Sequence, residues 1–245
     1  MTIAEKSPSQ KQSAYAAASS VARAYPNNVA AGSLLTIVGF VYTGTTNDPP
    51  VAADLTKSAG TATIGTITRD VVNTYNLGSG DLVHAVQYSA IVTGAGSLTL
   101  TLNGGANGVV CYIAVDEYTG TFDDSRVVDT ASSNGNSTAQ SSGDADSPGA
   151  ALFVGGLMHV NLASGSAATE DGAFTLIAEQ NSSASQLGAS AIARIVTGAT
   201  TDAASWTTNN PAAWIATLVV YREVAPKSIP PYRRPPGLRP AYRFH

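Results

Sequence analysis

The side chains that could carry chemistry are few and poorly placed for it. His84 and His159 each fall inside a strand-like pattern, and His245 stands alone. None is paired at the i, i+2 or i, i+4 spacing that would grip a metal, so the first two read as ordinary strand positions. Cys111 is the single cysteine, which excludes an internal disulfide. Flanked by Val110 and Tyr112 with no cation beside it, it reads as a small buried hydrophobe rather than a nucleophile. Asp116 and Glu117 are adjacent, so on a strand they point to opposite faces and cannot act as one carboxylate pair. Glu117 is expected to accept hydrogen bonds from a neighbouring turn. Asp123-Asp124 and Asp144-x-Asp146 are expected in loops, where their oxygens could bind Ca²⁺, but no EF-hand or repeat spacing accompanies them and solvated loop acids are the plainer reading. Gly94-x-Gly96 lacks a third glycine and precedes a strand, and Gly104-Gly105 with Gly108 reads as a hairpin turn, so neither is a phosphate or dinucleotide loop. No catalytic residue and no cofactor is expected.

The elements that hold these residues are short strands. With 245 residues there is length for one large β domain or two small ones, and 23 glycines with abundant Ser and Thr suit strands joined by turns. Forty alanines mean that much of the apolar content is small. Leu34–Tyr42 is β-branched and aromatic between Gly-containing turns and reads as a core strand. Val83–Val92 partly alternates, and Ser97–Leu102 alternates Leu with Ser or Thr up to Asn103-Gly104-Gly105. Val109–Tyr118 is apolar on both faces, as the middle of a sandwich requires. Residues Ala131–Gly149 have almost nothing to bury and are expected as a long surface connection or one irregular polar strand. Ala151–Val160, Phe174–Gln180, Gln186–Val196 and Trp214–Glu223 complete the strand set. Turn signals every 8–15 residues suit an all-β sandwich. A helix has a place only near Gln10–Ala24, where Tyr15, Val21 and Tyr25 make a poor helical stripe.

Tyr25-Pro26-Asn27-Asn28-Val29-Ala30-Ala31-Gly32-Ser33-Leu34-Leu35, Asp70–Tyr75, Val92-Thr93-Gly94 and Glu117-Tyr118-Thr119-Gly120 together resemble a recurrent lectin-like jelly-roll module found in bacteriophage virion proteins and some secreted bacterial proteins. Phe174-Thr175-Leu176 and Ala213–Tyr221 fall where such modules place their last strands. The resemblance spans about residues 14–224. It implies a single antiparallel jelly-roll sandwich, with Ser13–Tyr25 as a first strand, and transfers no active site. The expected organisation is an N-terminal arm over 1–13, the sandwich over 14–225 and an extended arm over 226–245.

The last segment is a different material. Residues 226–245 hold five basic groups, no acid and six of the twelve prolines, whereas residues 1–225 hold eight basic and 17 acidic groups. Prolines lack a backbone donor and favour extended polyproline geometry. Tyr232, Arg233, Arg234, Leu238, Arg239, Tyr242, Arg243 and Phe244 combine arginine forks with aromatic and apolar anchors, a set that suits docking in an extended groove. The acidity of the remainder argues against nucleic acid or an anionic membrane as the main partner. Resemblance and tail together point to a non-enzymatic virion structural protein, a capsid decoration, cement or fibre component, that contacts sister copies or other capsid proteins through its arms, the N-terminal Met1–Tyr15 included. Neither a signal peptide nor a transmembrane run is expected. A second reading is a carbohydrate-binding module, for which Trp206 in an expected Asp202–Asn210 loop is the best exposed platform, Tyr75 and Tyr118 being weaker. An extracellular filament or matrix subunit is a third.

Overall fold

A computed structural model of the chain describes residues 3–43, 54–77, 80–106, 108–160, 168–170, 172–182 and 186–224. Sixteen strands follow one another: β1 (Ala4–Glu5), β2 (Gln12–Ala16), β3 (Ser20–Ala24), β4 (Leu34–Thr43), β5 (Leu55–Ala59), β6 (Thr63–Ile64), β7 (Thr68–Asn76), β8 (Leu82–Gly94), β9 (Thr99–Asn103), β10 (Gly108–Thr119), β11 (Val127–Ser147), β12 (Ala151–Val160), β13 (Thr169–Glu170), β14 (Thr175–Ser182), β15 (Leu187–Val196) and β16 (Thr200–Arg222). All their pairings are antiparallel, and no helix occurs among the described residues. The chain is an all-β sandwich.

Its sheets stack in three layers. A central sheet runs β10-β4-β8, extended by β1 and β2 beyond β10 and by β6 and β7 beyond β8. An outer sheet runs β11-β16-β12-β15-β14, and a small sheet runs β3-β9-β5. The central strands are apolar on both faces because both faces are covered. Leu34, Val38 and Phe40 of β4 meet Leu152, Val154, Ile215 and Val219 of the outer sheet, whereas Leu35, Ile37 and Val41 meet Val21, Leu55, Leu100 and Leu102 of the small one. A period-2 side-chain alternation thus feeds two cores from one strand. The Leu/Thr alternation of β9 is the half-buried case, Leu100 and Leu102 inward and its threonines outward.

The outer sheet is closed over by its own longest strands. Ala213–Arg222 of β16 lies beside β12, but Thr200–Thr207 leaves the sheet and pairs only with the far half of β11 and with β13. The bend falls where the register slips between Ser137 and Ala139 of β11, opposite Thr208–Pro211 of β16. Gln140 Nε2 donates to Thr208 Oγ1 at 3.0 Å and Trp214 Nε1 to Ser137 Oγ at 3.0 Å, which fixes the corner. Asp129 Oδ2 accepts from the Asp146 amide at 2.7 Å, although the two lie 17 residues apart on one strand. A straight strand would hold them more than 50 Å apart at about 3.3 Å per residue. The β11/β16 ribbon therefore doubles back, and Ala145, Ala204 and Trp206 cover Phe153, Leu157, Ile192 and Leu218 in a third apolar cluster. Gly155 and Gly156 of β12 sit beneath these layers, one facing each way. A Cβ on Gly155 would come 2.5 Å from Ala204 Cβ, and one on Gly156 2.5 Å from Val38 Cγ1.

The strands expected at 34–42, 83–92, 109–118, 151–160 and 186–196 lie where they were expected, within one or two residues. Of the two expectations for the polar stretch 131–149 the irregular polar strand holds over residues 131–147, and the Ala-rich start forms β2 and β3 rather than a helix. Residues 4–5 and 12–16 do not form an arm that leaves the body: Ala4 pairs Thr119, Gln12–Ala16 pair Val115–Cys111, and Ile3 is buried. These strands cover the otherwise open edge of β10. The C-terminal residues singled out for docking, Tyr232, Arg233, Arg234, Leu238, Arg239, Tyr242, Arg243 and Phe244, lie outside the described residues.

Candidate functional site

The reactive groups are consumed by the fold. Cys111 is a buried free thiol in β10, pushed up to about 11 by burial, against a weaker opposing hydrogen bond to the Gly104 backbone. His84 is buried in β8 with Nδ1 3.0 Å from Thr74 Oγ1, and His159 is buried in β12, where desolvation lowers its pKa to about 4. Asp116 and Glu117 do face opposite layers. Glu117 Oε1 accepts the Ala30 amide at 2.7 Å and lies 2.6 Å from Ser33 Oγ, so a buried carboxylate organises the turn into β4. Burial pushes the Asp116 carboxyl up to about 6, with Glu5 reinforcing the shift and Tyr118, the Glu117 amide and Lys11 opposing it.

Two sequence expectations are corrected here, the exposed aromatic platform and the loop placement of Asp144 and Asp146, whereas Asp123 and Asp124 do lie outside the strands. Trp206 lies in β16, not in a loop, and is 2% exposed; its Nε1 points to Ser190 Oγ at 3.3 Å and its ring packs over Gly155. The ribbon's fold-back turns the expected platform into a core residue, and Tyr118 is equally buried. Asp144 and Asp146 lie on β11 rather than in a loop, and Asp146 accepts from Thr201 Oγ1. Asp123 is spent on Ser125, taking its amide at 2.8 Å and its hydroxyl at 2.7 Å. Among the described residues no group of three His, Cys, Asp or Glu side chains is placed to hold a metal.

A buried cation that the sequence did not announce closes one corner of the sandwich. Arg126 Nε donates to Ser89 Oγ at 2.9 Å, Nη2 to Ser89 O and Thr68 Oγ1 at 3.2 Å, and Nη1 to Asp123 O at 3.2 Å. Beside it Tyr221 donates to Asp70 Oδ2 at 2.8 Å. These groups come from the central and outer sheets, which makes the cluster a clasp between layers.

What remains accessible is a groove of about 770 Å³ at the end of the ribbon. The doubling back of the strands builds it, bringing the start of β11 (Val127, Val128, Asp129) against its end (Asp146, Ser147) and the start of β16 (Thr200, Thr201) against its end (Arg222). Two carboxylates and one guanidinium line it. A second groove of about 320 Å³ continues from Ala199 and Thr200 past Gly198 to Ile195, which at 39% exposure is one of two exposed large apolar side chains among the described residues. At its edge Arg194 is paired with Asp202. Asp146 was visible in the sequence as half of an acidic pair; Asp129 and Arg222 carried no signal, because only the fold-back brings them near it. No helix among the described residues is long and apolar enough to cross a membrane. In comparisons with known proteins, no family model, no curated protein and no solved structure matches this chain.

Proposed function

We propose that the chain is a non-enzymatic structural protein of a virion, a capsid decoration, cement or fibre component held to neighbouring subunits by its C-terminal arm. The observation that carries this reading is the division of charge: five basic and no acidic groups over residues 226–245, against eight basic and 17 acidic over 1–225. An arm of arginines, prolines and aromatics loses little conformational entropy on docking and offers both forks and apolar anchors. A body whose titratable side chains are largely engaged in turns and layer contacts supports a scaffold role. On a symmetric lattice, several weak arm contacts add to a durable attachment.

The test begins with density-gradient particles from cells that carry the gene, in which peptides of this chain are expected in the particle band. A chain with R233Q/R234Q/R239Q/R243Q is expected to lose at least tenfold in co-sedimentation with those particles. A chain absent from the particle band would overturn the virion assignment, and unchanged occupancy of the variant would remove the arm from the mechanism.

A further inference from the structure

We infer that the groove at the end of the β11/β16 ribbon is the receptor for the C-terminal arm of a second copy of this chain. The inference rests on the reading of residues 226–245 as a docking arm and supplies its partner surface.

Three observations carry it. The polar end of the groove is net acidic, with Asp129 and Asp146 against Arg222, the Arg194 that lines its other end is paired with Asp202, and every charged side chain of the arm is basic. The groove runs from this polar end to the exposed Ile195, so a ligand with cationic groups and apolar anchors fits it, as arginines spaced among Tyr232, Leu238, Tyr242 and Phe244 would. Finally, the arm departs from the groove's own rim. Arg222 lines it and the last described residue is Val224. Twenty residues of proline-rich sequence reach at most on the order of 60 Å at about 3.1 Å per residue. A reach of that order is enough for the segment to bridge to the same groove on a neighbouring copy. Each copy then has one donor and one receptor, a head-to-tail contact that closes into rings or runs on as a lattice.

Full-length chains test this by sedimentation velocity. The wild type is expected to self-associate, and more weakly as salt rises. A receptor variant, D146K/I195E, alters two partly or fully exposed side chains, and a donor variant, R233Q/R234Q/R239Q/R243Q, alters only the arm. Each alone is expected to associate at least tenfold more weakly. Mixed, they are expected to form pairs that do not grow, one intact arm in one intact groove. R222E removes the cation at the groove's polar end and is expected to tighten association several-fold at low salt. Adding the donor substitutions to R222E is expected to abolish that gain, which separates arm docking from aggregation of a misfolded chain. Unimpaired association of the receptor variant would overturn the groove while leaving an arm-dependent assembly intact. A wild type that stays monomeric would overturn the contact between copies, and the particle experiment above then decides separately whether the arm binds another capsid protein.

Discussion

Glu117 shows how a residue that looks catalytic is used structurally. Its carboxylate is buried between β10 and the turn at Ala30–Ser33, where it accepts an amide and faces a hydroxyl. Replacing it by Ala leaves a buried amide without its partner, so Glu117→Ala is expected to lose about 1–3 kcal/mol in urea denaturation, and Glu117→Gln, which retains an acceptor, less. Adjacency alone reveals that Asp116 and Glu117 must diverge on a strand, and this much was legible from the sequence. The turn that Glu117 would bind was expected without a position, because it lies 87 residues away. Trp206 is the opposite case. Asp202–Asn210 is polar enough to read as a loop, and only the fold-back over Gly155 supplies the apolar floor that buries the ring.

At the scale of elements, alternation was readable and destination was not. The strand at 34–42 announces itself by composition, and so does the two-faced apolar run at 109–118, because each has to satisfy a core on both sides. β11 has no such core. It is strand because β16 pairs along it, so its pattern of Ser, Asn, Gly and Asp carries almost no hydrophobic signal. Gly155 is the residue on which that arrangement turns, since the ribbon approaches β12 too closely for any side chain. A methyl group there meets Ala204 Cβ at 2.5 Å and the Trp206 ring at 3.3 Å. Gly155→Ala is expected to cost roughly 1–3 kcal/mol and to shift tryptophan emission to the red as the ribbon lifts, whereas Gly149, where a Cβ would meet nothing within 4 Å, should tolerate Ala with neither effect.

For the molecule as a whole, two buried ionisable groups oppose one another. Asp116, raised from 3.8 to about 6, binds its proton more tightly in the folded chain, so its contribution to stability is full at low pH and is lost as pH rises through about 6. His159, lowered from 6.5 to about 4, binds its proton less tightly when folded, so its contribution is full above about 6.5 and is lost as pH falls toward 4. Each slope is at most about 1.4 kcal/mol per pH unit, and the signs are opposite. Relative to the wild type, Asp116→Asn is therefore expected to make stability climb more steeply between pH 4 and 6, and His159→Gln to make it fall; denaturant titrations at pH 4, 5, 6 and 7 read both. The pairing of distant strands has a further consequence during synthesis. β2 must wait for β10, about a hundred residues downstream, and β11 must wait for β16, so the central strands leave the ribosome with their apolar faces bare until late partners arrive. The abundance of alanine, threonine and serine in the early strands is then also a safeguard for the nascent chain, limiting how strongly it sticks to its neighbours before it can close.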